Sequence, residues 1–215
     1  MGYILNTALL STIVFPAVAG LVRFKKVNRA YHPFIYLMWA GFFNEIASKL
    51  TEHYFRTNSY NSNTYCLLEV LLVLYMFWEW RLFAKKITPI IIGIIMSAFW
   101  IIENFVIASM QEFNSYFTIA YTFLIVVLSI SMLNKMLISE KSLLIKNPKF
   151  LILLGFVLFF SYSGVVEIFW KYSYPHYAEM SIKFFKVVSY LNAFNNILYT
   201  YAILCMRRKL RFTMQ

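Results

Sequence analysis

The chain has 215 residues, of which 61% are hydrophobic, 20% aromatic and only 13% charged. A soluble domain is usually about 45–50% apolar and about 25% charged, so a water-soluble globule is excluded and disorder with it. Two cysteines exclude a disulfide scaffold, and the class left is an integral membrane protein.

A bilayer core about 30 Å thick needs roughly 20 apolar residues per helix. That ruler finds seven segments in chain order: 3–22, 33–54, 64–83, 87–108, 116–136, 150–170 and 182–205. None alternates as a barrel strand does. The expected fold is therefore all-α, a single polytopic seven-transmembrane-helix bundle, with no room left for a soluble domain. The first segment lacks the leading positive charge of a signal peptide and is expected to stay as an uncleaved span.

The basic residues set the direction. Arg23, Lys25, Lys26 and Arg29 follow the first segment, Arg81, Lys85 and Lys86 the third, and Lys135, Lys141, Lys146 and Lys149 the fifth. Arg207, Arg208, Lys209 and Arg211 follow the seventh, so 15 of the 20 basic residues sit on alternate connections. With seven spans this predicts the N-terminus outside, the C-terminus in the cytoplasm, and a multi-pass protein of the plasma or inner cell membrane. The net charge of +11 is then a ring at one membrane face. Anionic lipid headgroups are its expected partner, not nucleic acid. The four tail residues from Arg207 to Arg211 would also face a cytoplasmic protein partner.

Ionisable groups at membrane depth face the bundle interior and are functional candidates. The first segment and, short of Lys135 at its end, the fifth contain none and are expected to face lipid. In the second, Glu45, Lys49 and Glu52 share a face with Asn44, Ser48 and Gly41. Glu69 lies about two turns into the third. Glu103 stands beside a Gly93, Ser97, Trp100, Asn104 stripe in the fourth, and Glu167 one turn after Ser163 in the sixth. Lys186, Asn196 and Thr200 make a stripe on the seventh, flanked by Asn192. Counted from the segment ends, most of these groups fall in the outer half. The expectation is a polar funnel lined by segments two, three, four, six and seven.

Glu45 and Lys49 would form its floor. Glu69, Glu103 and Glu167 would meet the positive part of a small polar or zwitterionic ligand, and Lys186 with Asn192 the negative part. The same groups can instead be ion pairs that staple helices together. Cys66 and Cys205 fall at opposite ends and are not expected to pair.

The chain has no aspartate and three histidines, and no serine elbow, phosphate loop or paired-cysteine signature. An enzyme is not expected, and neither a cofactor nor a metal. The function expected is that of a sensor or receptor-like component. A small-solute or ion transporter or channel, and an accessory membrane subunit working with a cytoplasmic complex, stay open beside it.

Overall fold

The computed structural model describes residues 8–139, 146–173 and 178–206, and the regular elements among them are helical. We label them α1 Val14–Arg23, α2 His32–Phe55, α3 Ser59–Glu79, α4 Thr88–Ile102, α5 Ser115–Ser139, α6 Pro148–Ser173 and α7 Ala178–Cys205. Three stretches, Thr88–Ile107, Ser115–Ile138 and Pro148–Tyr172, are long and apolar enough to cross a membrane, and Ala8–Arg23 is a shorter apolar helix. The first residues of the first predicted segment lie outside the described residues.

Local chemistry places the boundaries. Pro33, Pro89 and Pro148 sit in the first turns of α2, α4 and α6, where a missing N–H costs little. Arg56 and Arg81, both at φ 57°, turn the chain left-handed just past α2 and α3. Helix α3 starts five residues before the expected Thr64, because the polar run from Ser59 to Asn63 is helical too. The backbone of α4 widens into a π-turn over Glu103–Ile107, closed by Ala108 N donating to the Glu103 carbonyl at 2.8 Å.

The helices pack in a ring, each against its chain neighbour, with α1 closing onto α7 and α3 also touching α5. Small residues allow the close approaches, as they do where membrane helices pack. Ala17 and Gly20 let α1 lie on α2, and Trp39 Nε1 donates to the Ala17 carbonyl at 3.0 Å. A Cβ on Gly41 would lie 3.3 Å from Tyr65 Oη, which brings α2 onto α3.

Helix α4 is the outlier, with 22% of its apolar stretch buried against 44% in α6. It, rather than α5, is the peripheral helix. Helix α5 has no ionisable group in its apolar centre, yet it buries Phe117, Tyr121, Ile125 and Met132.

The basic end of the bundle is packed. Phe34, Phe156 and Tyr199 meet edge to face with centroids 5.3 and 6.0 Å from Tyr199, and Phe77, Ile152, Leu153 and Ile203 are fully buried around them. The Arg23 guanidinium donates to the carbonyls of Ile203, Leu204 and Met206. It so satisfies the orphan acceptors that any helix C-terminus leaves and ties α1 to the end of α7.

One contact here is tight enough to test. A Cβ on Gly155 would stand 2.5 Å from Tyr199 Cε1 and 2.9 Å from its hydroxyl, on a buried ring with little room to move. Gly155→Ala is expected to destabilise the bundle by about 1–3 kcal/mol, read as a lowered unfolding midpoint in detergent. An unchanged midpoint would mean that Tyr199 swings aside.

Candidate functional site

The opposite end of the bundle holds a cavity of about 550 Å³. It is built where α2 and α6 finish and α3, α5 and α7 begin. Its acidic lining comes from three helices: Glu45 on α2, Glu69 on α3 and Glu167 on α6. Asn44, Asn63, Asn114 and Asn192 add amides, and Tyr65, Tyr121, Phe159, Trp170 and Phe185 supply aromatic wall. Phe113 and Phe185, also in the lining, are exposed, so the cavity reaches the surface at this end. A smaller space of about 60 Å³ shares Tyr65, Glu69, Phe159 and Asn192 with it and continues inward past Asn195 and Asn196 to Tyr199.

Glu69 is the most buried of the three acids. Tyr65 Oη donates to its Oε1 and Tyr121 Oη to its Oε2, both at 3.1 Å. Two neutral donors from α3 and α5 thus solvate a carboxyl group that water would otherwise have to reach. Tyr65 stands one helical turn before Glu69, a spacing that the sequence displays. Tyr121 is announced by nothing in its own helix. Lys171, one turn beyond Glu167, lies over the Tyr116 ring at 4.6 Å.

Glu103 belongs elsewhere. Its Oε1 accepts from Tyr116 N at 3.0 Å and its Oε2 from Phe117 N at 2.5 Å, so it caps the first turn of α5. The polar residues around it form a clamp centred on Asn63. That side chain donates to Glu112 O at 2.7 Å and to Asn104 Oδ1 at 3.4 Å, and accepts from Asn114 N at 3.1 Å. Trp100 Nε1 donates to Asn63 O at 2.8 Å, and Asn104 Nδ2 to Trp100 O at 2.8 Å. The expected stripe on α4 is thereby spent on holding α4 and its following loop to α3. The cavity is lined by α2, α3, α5, α6 and α7, and α4 is replaced in that role by α5.

The lysines are placed differently from the expectation as well. Lys49 and Lys186 are exposed and are not among the lining residues. Instead of the mixed acids and lysines expected, the lining among the described residues holds three carboxyl groups and neither lysine nor arginine. Lys49 extends toward the polar boundary, as long side chains near helix ends do, yet from one turn away its charge still acts on the Glu45 carboxyl.

Two buried amides have spare capacity. Asn114 is 2% exposed, and neither its Nδ2 nor its Oδ1 has a partner. Asn195 is 1% exposed and donates to Gly155 O at 3.1 Å, but its Oδ1 has no partner. Asn196 donates to Thr12 Oγ1 at 2.9 Å and so joins α7 to the start of α1.

Arg207, Arg208, Lys209 and Arg211 lie outside the described residues. Among the described residues no three His, Cys, Asp or Glu side chains come close enough to hold a metal ion. Both cysteines are free thiols: Cys66 lines the cavity, and Cys205 sits at the basic end. No family model matches the chain, and comparison with curated proteins and with solved structures finds no match either.

Proposed function

We propose that the chain is a seven-span membrane protein of the plasma or inner cell membrane, N-terminus outside and C-terminus cytoplasmic. Its cavity is an outward-facing chamber that receives a small polar ligand, and the protein serves as a sensor or receptor-like component. The observation that carries this reading is the acidic, amide-rich cavity at the end of the bundle away from the basic connections. The positive-inside rule supports putting that end outside. A concave site of this volume, mostly apolar with a few converging polar groups, is the usual form of a small-molecule pocket.

Transport is the second reading. Asn195 and Asn196 favour it, because they carry polar groups inward below the main chamber. A sensor fits better, since the basic end beneath them is filled by Phe34, Phe156 and Tyr199 and a conducting path would have to part these rings. The accessory-subunit reading rests on the basic tail alone.

Cys66 supplies the test. In a Cys205→Ser background, an uncharged membrane-impermeant thiol reagent is expected to label Cys66 when added outside right-side-out vesicles. The same reagent confined to the lumen of those vesicles should leave it unlabelled. Labelling from the lumen alone would invert the topology and end the proposal.

A further inference from the structure

Resting on that outward-chamber reading, we infer that the ligand is a small organic cation. It is an amine that places an ammonium group among Glu45, Glu69 and Glu167 and a second polar group against Asn114. Four observations converge on this class. Among the described residues the lining carries three carboxyl groups and no basic side chain, so the field inside favours a positive guest. Among the described lining residues a zwitterion's carboxylate would find no ammonium or guanidinium partner; Lys49 and Lys171 act on Glu45 and Glu167 from outside the lining.

The second observation is spacing. The three acids share one cavity, yet among the described residues no such group draws together tightly enough to coordinate a metal. Carboxyl groups spread over about 550 Å³ suit a cation with extent rather than a bare ion. Third, the wall between the acids is aromatic, and ring faces attract ammonium groups once water is displaced. Fourth, the Asn114 side chain is buried at the cavity with its donor and its acceptor both unpartnered. An amide left so costs free energy, and a ligand bearing a hydroxyl, amide or second amine group would satisfy it.

The test uses two thiol reagents of similar size and opposite sign, trimethylammonium-ethyl and sulfonatoethyl methanethiosulfonate. They are applied from outside to Cys66 in the Cys205→Ser protein. A second reporter is Ser62→Cys in a chain whose two native cysteines are serine, because Ser62 lines the same cavity. At both positions the cationic reagent is expected to react at least about tenfold faster, as a like-signed cleft concentrates counterions. Equal rates, or a faster anionic reagent, would overturn the cation assignment and leave the chamber standing. No reaction at either position would withdraw the outward chamber and the assignment together.

Protection then identifies the class. Tetramethylammonium and 1,4-diaminobutane are expected to slow the labelling, and glycine, glutarate and glycerol to leave it unchanged. Asn114→Leu should weaken protection by 1,4-diaminobutane about tenfold, the loss of one hydrogen bond to a charged group, and leave the charge preference of the reagents intact. Protection by glycine equal to that by the amines would return the site to a zwitterionic ligand.

Discussion

Asn63→Ala is expected to be the most damaging alanine substitution at the chamber end. The wild-type side chain holds Glu112 O, Asn104 Oδ1 and Asn114 N at once, and alanine reaches none of them. Asn104 and Asn114 are each 2% exposed, so water cannot readily replace the lost partner. Each stranded buried group costs about 1–3 kcal/mol. Relaxation of the loop returns part of that, for a net loss of about 2–4 kcal/mol in unfolding free energy, measured in detergent. The loop between α4 and α5 should also become sensitive to protease, because Asn63 is its anchor to α3. Asn63→Asp should cost at least as much as alanine, since it keeps the acceptor for Asn114 N but buries a carboxylate oxygen against Glu112 O and Asn104 Oδ1. A loss below about 0.5 kcal/mol for alanine would mean that the clamp carries no stability beyond that of an ordinary surface site.

Much of this architecture can be read from the chain, and the places where it cannot have physical causes. The helices were visible because a run of about 20 apolar residues has few other uses. The start of α3 was not, since a hydropathy ruler stops at Ser59–Asn63 while the backbone does not. Of these, Asn63 centres the clamp and Asn61 donates to Asn44 Oδ1 and Ser48 Oγ on α2. Helices α2, α3 and α7 are not among the three segments apolar enough to stand out as spans, and they carry most of the polar groups of the chamber end. A lower apolar content in a bundle helix was thus itself the pointer to the site.

Glu103 was misplaced for a different reason. Its partners are the backbone amides of Tyr116 and Phe117, on a helix that begins twelve residues later, and no local spacing encodes a cap supplied from that distance. The π-turn that aims it is equally silent. The i,i+4 rule pairs Lys49 with Glu45, and its charge does act on that carboxyl, but the rule does not fix where a four-carbon chain ends, and Lys49 stays outside the lining. Nothing in the apolar pattern of α5 marks Tyr121, because its role is to supply a neutral donor to a carboxyl on another helix.

Glu69→Gln and Glu69→Leu should separate the two things that this residue does. Glutamine keeps an oxygen for one phenol and turns an amide toward the other, whose hydroxyl oxygen can accept. The pair Tyr65 and Tyr121 therefore stays satisfied, and the bundle should unfold near the wild-type midpoint. What glutamine removes is the ionisable carboxyl group at the most buried acidic position of the chamber. Protection of Cys66 by tetramethylammonium is expected to weaken tenfold or more, since interactions with an ionised partner are worth about 1.5–3 kcal/mol, and the rate advantage of the cationic thiol reagent should shrink with it. Leucine fills a similar volume and accepts nothing, so both phenol hydroxyls are left buried without a partner. That costs about 1–3 kcal/mol for each, and the midpoint should fall even though no ligand is present. If glutamine instead binds tetramethylammonium as wild type does while leucine still unfolds early, Glu69 is an acceptor for two tyrosines only. The cation-binding role then passes to Glu45 and Glu167, for which the same glutamine substitutions give the reading.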